Sequence, residues 1–403
     1  RVDMDRCERT KQALIKREKA VLKKIEAQAG GEVEIWAAAS LAKAFDKLDI
    51  KYPRTATGQP SFTKSFLSDN PHEFAKMVVE ARNLNKVQGT FVSSIMRYVS
   101  KEGRIHGHIN QLRSDDGGTV SGRLSMANPN LQQIPARDPE LGPMIRSLFL
   151  PEENEQWAAI DFSQQEPRIL VHYAQIFGQW KSRPLGGAQD FVDAYNDDPD
   201  TDFHSMVAEM AQIPRKQAKV INLGMMYGMG VNKLADQLDV DVDTAKEITK
   251  QYHNRVPFVK ELMSGVSRAV DQKDDGSIRS LKGRKCRFDM FEPLGYELKK
   301  ALPKKEARAQ YGDTTPLRRA YTYKALNRLI QASAADMTKQ AMVDLYEAGE
   351  RPLLQVHDEL GCSVRDLRHA KKIREVMEGA IHLQVPNKCD IDLGPSWGEA
   401  VEV

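Results

Sequence analysis

The stretch that most constrains this chain is Trp157-Ala-Ala-Ile160-Asp161-Phe162-Ser163-Gln164-Gln165-Glu166-Pro167-Arg168-Ile169-Leu170. Its opening apolar run, bounded by a polar loop, predicts a buried strand that ends on Asp161. Ser163 followed three residues later by Glu166 has the spacing of a capping box, which predicts a helix starting there. A carboxylate at the mouth of a core strand, beside a helix N-terminus, either caps that helix or holds a metal facing a phosphate. On this stretch alone the two readings stand level.

A second stretch separates them. Leu353-Leu354-Gln355-Val356-His357-Asp358-Glu359-Leu360-Gly361-Cys362-Ser363-Val364 has apolar segments on both sides of a tight polar centre. It predicts a β-hairpin with His-Asp-Glu at its turn. Two strand-end aspartates, far apart in sequence, are what a two-metal phosphoryl-transfer site needs. Mg²⁺ takes one or two carboxylates plus substrate phosphates rather than a full protein cage.

The Asp161-Phe-Ser-Gln-x-Glu166-x-Arg168 and Gln355-Val-His-Asp-Glu359 stretches resemble motifs A and C of the family A (DNA polymerase I-like) DNA polymerases. Between them, Arg215-Lys-Gln-Ala-Lys219-Val-Ile-Asn-Leu223-Gly-Met-Met-Tyr227-Gly228 resembles motif B. The resemblance implies an α/β right-hand polymerase fold with an antiparallel-sheet palm, helical fingers and a helical thumb. The implied divisions are a thumb with an N-terminal palm edge over 1–102, palm over 103–171, fingers over 172–318 and palm again over 319–403. The implied reaction is template-directed transfer of dNMP from a dNTP to a primer 3′-hydroxyl. Asp161, Asp358 and the Phe162 carbonyl would hold two Mg²⁺ ions, with Mn²⁺ as a substitute, and Glu359 would support the site.

On the motif B stretch, Arg215, Lys219, Leu223 and Tyr227 fall at i, i+4, i+8 and i+12, one slowly drifting helical stripe. Two cations, an apolar residue and a tyrosine in register suit a triphosphate, a base and the templating position in succession. Arg215 and Lys219 would neutralise the pyrophosphate leaving group. By the same resemblance His204 touches the nucleotide's phosphates and Gln164 joins the dNTP-binding set. Glu166 and Tyr227 would pack against the sugar and exclude a 2′-hydroxyl. Arg123, in Thr119-Val-Ser121-Gly122-Arg123, would reach the minor groove at the primer terminus, where acceptors shared by all base pairs report geometry without sequence. Gln132 and Gln133 follow in an amide-rich loop.

The remaining assignments are DNA contacts. Asn327 and Gln331, on a helix predicted over Ala325 to Leu345, would meet template and primer. His357 would orient the primer terminus or simply stabilise its turn, and Lys86 would face the DNA backbone or be a solvated surface lysine. Three positions depart from the family pattern: Leu223, where relatives carry Phe or Tyr; Gln165 and Pro167, in place of apolar neighbours; and Tyr323, where many carry Arg.

Bulk properties narrow the class without naming it. The 403 residues suffice for a large core in two or three lobes. With 59 basic against 56 acidic residues, DNA affinity must come from local patches. Cys7, Cys286, Cys362 and Cys389 are scattered without metal spacing, which suits a reducing compartment. No apolar run approaches the roughly 20 residues of a membrane span. The family resemblance, together with these properties, implies a cytoplasmic monomer in a bacterial or phage-infected cell, with primer–template DNA and dNTPs as partners.

The start at Arg1 without Met reads as a piece of a longer protein with an upstream exonuclease or other replication domain. The chain itself is not expected to proofread.

Along the chain, periodicity predicts helices from Cys7 to about Ala29, from Ser40 to about Leu48, and from about Asn70 to Val99. Arg104 to Arg113 reads as a strand. Gly283-Arg284 reads as a hairpin turn. Between Ile278 and Arg308 lies a basic run: Arg279, Lys282, Arg284, Lys285, Arg287, Lys299, Lys300, Lys304, Lys305 and Arg308. It is either a solvated face or a guide for single-stranded template. A single-subunit RNA polymerase, a lesion-bypass polymerase and an idle duplex-binding scaffold are the alternatives; the last has no use for both aspartates and both motif B cations.

Overall fold

The computed structural model describes residues 1–114, 117–135, 138–295 and 300–403. The chain forms two compact units: Arg1–His108 with Met126–Trp157 and Leu393–Val401, and Ile109–Ser125 with Ala158–Asp392 and Glu402–Val403.

The first unit is built on the helix Met4–Ala29. Asp3 caps it by accepting from the Arg6 N–H at 2.8 Å, and Gly30 stops it at φ 63°. That cap moves the start upstream of the predicted Cys7. Its apolar face (Cys7, Leu14, Val21, Ile25) packs on the helix Glu73–Lys86, which buries Phe74, Met77, Val78, Ala81 and Leu84. The predicted 70–99 helix is broken by a π-helical segment, Val87–Val92, before it resumes as Ser93–Tyr98. Trp397 closes this unit, ringed by Phe149 and Trp157 with the Arg146 guanidinium 4.3 Å from its centroid. The predicted 104–113 strand is reduced to His108–Asn110.

The second unit carries most of a five-stranded sheet, in the order Val401–Glu402, Cys389–Gly394, Gln156–Phe162, Glu359–Val364, Leu354–Val356. The last two strands form the expected antiparallel hairpin, with Glu359 opposite Val356. Helix Ala325–Glu347 presents a nearly continuous small and apolar surface, and helices Gln165–Trp180 and Pro257–Gln272 pack on it. A run of helices, Phe203–Ala211, Arg215–Met226, Val231–Leu238 and Val242–Arg255, completes the unit. Gly283, at φ 77°, turns the antiparallel strands Ser277–Arg279 and Lys285–Arg287 as predicted.

The basic run is no uniform face. Arg284 is tied inward, Lys285 pairs with Asp275 at 2.8 Å and Arg308 donates to the Asp313 and Thr315 carbonyls. Lys299 lies outside the described residues.

His172 gives this unit an acid-sensitive point. Only 5% exposed, it accepts the Gln384 N–H at Nδ1 (3.0 Å), and burial pushes its pKa down to about 4. The unfolded chain takes up this proton below about 6.5 while the folded chain resists it until about 4, so stability falls as pH drops through that window. Between pH 7 and pH 5 the wild type should lose about 2 kcal/mol more than His172→Gln in denaturant unfolding. Equal losses would remove His172 as the cause.

Candidate active site

The strands Gln156–Phe162 and Glu359–Val364 are neighbours, and the Phe162 N–H donates to the Asp358 carbonyl at 3.4 Å. The two predicted aspartates are thus brought together. His357 and Asp358 make a two-residue turn in which His357 takes φ 60°, a conformation that costs a non-glycine residue. Gln355 steadies it by donating from Nε2 to the His357 carbonyl at 2.5 Å.

Solvent reaches the Asp161 side chain, yet protein crowds it on most sides. That crowding, then Asp358, Glu359, Asp390 and Asp392, pushes its carboxyl well above the ordinary range. Asp358 is also raised, chiefly by burial. The positive groups nearby, Arg123 and His357 acting on Asp358 and Lys388 3.4 Å from Asp390, do not offset this crowding of carboxylates. A divalent cation bound by hard oxygen ligands is the chemical remedy. Asp390 and Asp392, on the strand Cys389–Gly394, were not foreseen; alternating acids on a strand read as an ordinary solvated edge.

The motif B stripe is as predicted. Helix Arg215–Met226 buries Ala218, Ile221, Asn222 and Met225, while Arg215, Lys219 and Tyr227 are exposed and Leu223 is half-buried. Tyr227 lies just past the last helical residue. Arg215 Nε donates to Asp202 at 3.1 Å and to Ser205 Oγ at 3.1 Å. Asp202 also caps helix Phe203–Ala211, accepting from the His204 and Ser205 N–H groups. Crowding by protein would raise the Asp202 carboxyl, but Arg215 and these N–H donors outweigh it and hold it below its ordinary range.

The capping-box reading of Ser163 and Glu166 is wrong. Helix Gln165–Trp180 starts from Gln164, in a left-handed conformation (φ 51°) and without a side-chain cap, so Asp161 is not its cap either. The Ser163 N–H goes to the Lys388 carbonyl (2.8 Å). Glu166 is drawn away by stronger partners: Arg123 donates to its Oε1 at 2.6 Å and the Tyr227 hydroxyl to its Oε2 at 2.8 Å. Burial first, then Glu166, raises the Tyr227 phenol, and Gln331 hydrogen-bonds it as well. Three predicted residues, Glu166, Arg123 and Tyr227, therefore meet at one carboxylate, and Gln331 joins them through the Tyr227 hydroxyl. Asn327 lies one turn before Gln331 on the same helix, half-buried.

The Gln164 side chain is engaged internally. Its Oε1 accepts from the Phe203 N–H (2.8 Å) and the Tyr195 hydroxyl (3.2 Å), and its Nε2 donates to the Thr201 carbonyl (2.9 Å). It secures the segment that leads to His204. Lys86 is exposed, and in the first unit it shares a cavity of about 400 Å³ with Gln132, Gln133, Lys64 and Asn83. Glu359 begins its strand half-buried beside the turn.

Two supports lay beyond sequence reasoning. Arg168, 1% exposed, donates to the carbonyls of Ser163, Pro386 and Pro199 and stands 4.5 Å over the Tyr195 ring. Arg284 bonds Asp336 at 2.9 Å and the carbonyls of Ser121 and Ala332, each at 2.8 Å. Gly122, at φ 83°, lets the loop lie on that guanidinium, where a β-carbon would come within 2.1 Å of it. The loop bearing Arg123 is thereby fastened to helix Ala325–Glu347.

Comparison with known proteins agrees with this geometry. The family model described as DNA polymerase family A matches residues 4–399. A DNA-directed DNA polymerase of Pseudomonas phage M6 is 34% identical across 100% of this chain, and DNA polymerase I of Geobacillus stearothermophilus is 31% identical across 99%. The chain spans 63% and 44% of their respective lengths. A solved structure of the POL domain of Pol1 from M. smegmatis, in complex with DNA primer-template and dNTP, superposes with a TM-score of 0.77 at 27% identity. That match covers 98% of this chain and 67% of the other. No described helix is long and apolar enough to cross a membrane. With a right-hand polymerase fold, all three motifs in order and a family match over nearly its whole length, the chain belongs to DNA polymerase family A.

Proposed function

We propose that this chain carries out template-directed DNA synthesis, joining dNMP from a dNTP to a primer 3′-hydroxyl. The observation that carries the reading is the meeting of Asp161 and Asp358 at adjoining strand ends, with both carboxyls raised by burial and Asp161 further by the neighbouring Asp358. Among the described residues no group of three or more His, Cys, Asp or Glu side chains forms a ready metal cage. Two carboxylates and the Phe162 carbonyl fit Mg²⁺, whose coordination is completed by substrate phosphates and water. Bound there, Mg²⁺ (or Mn²⁺) would activate the 3′-hydroxyl and stabilise the leaving pyrophosphate.

The chain's own residues account for the rest. Arg215 and Lys219 offset charge on the departing phosphates, in keeping with their exposed stripe. Arg123 serves the primer terminus, Glu166 and Tyr227 the sugar, and Asn327, Gln331, His357 and Lys86 the DNA. Residues 1–102 act as thumb, 103–171 and 319–403 as palm and 172–318 as fingers. We assign no proofreading exonuclease to these residues, and we place the activity in a monomer in the cytoplasm of a bacterium or phage-infected cell.

Primer extension with Mg²⁺, offering dNTPs and rNTPs separately, tests this reading. Extension with dNTPs alone, lost in Asp358→Ala, is the expected result. No extension despite retained duplex binding would turn the reading into a scaffold.

Leu223 should leave its own mark. Half-buried between Lys219 and Tyr227 on the stripe, it offers dispersion contacts but no aromatic face. Leu223→Phe and Leu223→Tyr should incorporate dNTPs about 3- to 10-fold faster, corresponding to the ~0.5–1.5 kcal/mol of an aromatic contact, and use dideoxynucleotides better. Unchanged steady-state kinetics would sink this assignment.

A further inference from the structure

A buried hydrogen-bond chain leads from the interior to His204 and uses two residues with no role assigned so far. Tyr252, on helix Val242–Arg255, is 1% exposed, and its hydroxyl lies 2.8 Å from Asn222 Oδ1. Asn222, also 1% exposed, sits on the inner face of helix Arg215–Met226, and its Nδ2 lies 3.0 Å from His204 Nδ1. Such a chain has two formal polarities, because an amide can be turned over and an imidazole has two neutral tautomers.

The hydroxyl decides between them. Burial pushes the Tyr252 phenol up, so it keeps its proton. Among the described residues Asn222 is the only hydrogen-bond partner of that hydroxyl. A buried O–H without an acceptor costs about 1–3 kcal/mol, so the O–H must donate to Asn222 Oδ1. Asn222 then turns Nδ2 towards His204, and an N–H donor can bond only a bare ring nitrogen. Nδ1 is therefore unprotonated, and the proton of the neutral ring is on Nε2.

We propose that Tyr252 and Asn222 are positioning residues that hold His204 in its neutral Nε2–H form, so that the site offers a hydrogen-bond donor to a phosphate oxygen of a nucleoside triphosphate. This rests on the reading of the site as a polymerase centre. It adds why the ring donates and what keeps it from becoming a second kind of group, an imidazolium or an Nε2 acceptor. The surroundings fit. His204 is 9% exposed and its Nε2 has no protein partner among the described residues. The charged groups acting on it are Asp202, Lys219 and Arg215. Burial lowers its pKa first, Asp202 opposes, and Lys219 and Arg215 add to the lowering. A neutral donor adds a directed bond without repelling the two cations already there.

The test begins with long-range ¹H–¹⁵N NMR of the full chain labelled at histidine, with the His204 signal identified by its loss in His204→Asn. The expected spectrum has a bare Nδ1 and a protonated Nε2 that responds to added inorganic tripolyphosphate. Tyr252→Phe frees the amide to turn, which should give mixed tautomers and raise KM for dNTPs about 3- to 10-fold, with kcat within about twofold. In Asn222→Asp an acceptor-only carboxylate draws a proton to Nδ1, so the acid limb of the KM–pH profile should move up by about one unit. A proton on Nδ1 in the wild type, no response to tripolyphosphate, or folded variants with unaltered tautomer and KM would each overturn the proposal. Failure of primer extension with the Nε2–H form and its tripolyphosphate response intact would refute the polymerase reading while supporting this one.

Discussion

Asp161→Asn and Asp358→Asn are each expected to lower the single-turnover rate of nucleotide addition by at least about 10³-fold, ~4 kcal/mol of barrier. They should do so while making the metal-free protein more stable. Both carboxyls are raised above their ordinary range in the folded chain, Asp161 by crowding and then Asp358, Glu359, Asp390 and Asp392, and Asp358 chiefly by burial. An acid whose folded pKa exceeds its unfolded one opposes folding at every pH above the unfolded value, and fully above the folded one. Neutralising either aspartate at pH 7 removes that penalty, so Tm without Mg²⁺ should rise, by on the order of 1–2 °C for each kcal/mol at this chain length. Mg²⁺ should raise the Tm of the wild type and have little effect on the variants, since only the former gains a ligand on folding. Thermal scans with EDTA and with millimolar Mg²⁺, beside rapid-quench extension, decide the matter. Activity lost together with a large fall in Tm would mean that the aspartates are structural.

What the sequence made legible was local. The strand ending on Asp161, the hairpin around Asp358 and the Arg215–Tyr227 stripe each announce themselves within about a dozen residues by periodicity and turn chemistry. The structure bears out the strand, the hairpin and the stripe, with the strand running one residue past Asp161 to Phe162 and the helix ending just before Tyr227. What was not legible depends on partners brought from elsewhere. Ser163 and Glu166 have the spacing of a capping box, but spacing cannot show that Arg123 and Tyr227 will arrive to claim the carboxylate. Arg284 looked like one charge in a basic run and is instead held by Asp336 and two carbonyls. Asn222 stood out only as part of the motif B stretch and Tyr252 not at all, until the fold put both on one hydrogen-bond chain with His204. The break at Val87–Val92 likewise has no plain signal, because its residues keep an apolar pattern compatible with an uninterrupted helix.

The meeting of Arg123 and Tyr227 on Glu166 makes the second large effect specific to sugar choice. The Glu166 side chain is 12% exposed and spends one oxygen on each partner. It is thereby fixed in place, and a fixed, desolvated carboxylate is what can exclude a 2′-hydroxyl: a mobile one would swing aside, and a smaller residue would leave room. Glu166→Ala should therefore raise the ratio of rNTP to dNTP incorporation by about 10²-fold, the ~3 kcal/mol expected when a pocket stops rejecting one added hydroxyl. Part of the rise should come from a weaker dNTP reaction, because Tyr227 and Arg123 lose their common anchor. Tyr227→Phe keeps the ring and removes one of the two fastenings, so it should move the ratio in the same direction by only ~3- to 10-fold. Arg123→Ala removes the other fastening and the proposed primer-terminus contact together, so it should depress dNTP and rNTP addition alike by about 10²-fold with a smaller change in their ratio. The ordering Glu166→Ala, then Tyr227→Phe, then Arg123→Ala in the rNTP/dNTP ratio follows from these bonds, and competition assays with paired nucleotides read it directly. A Glu166→Ala variant that still folds and still rejects rNTPs as well as the wild type would move sugar selection off this carboxylate and onto the tyrosine ring alone.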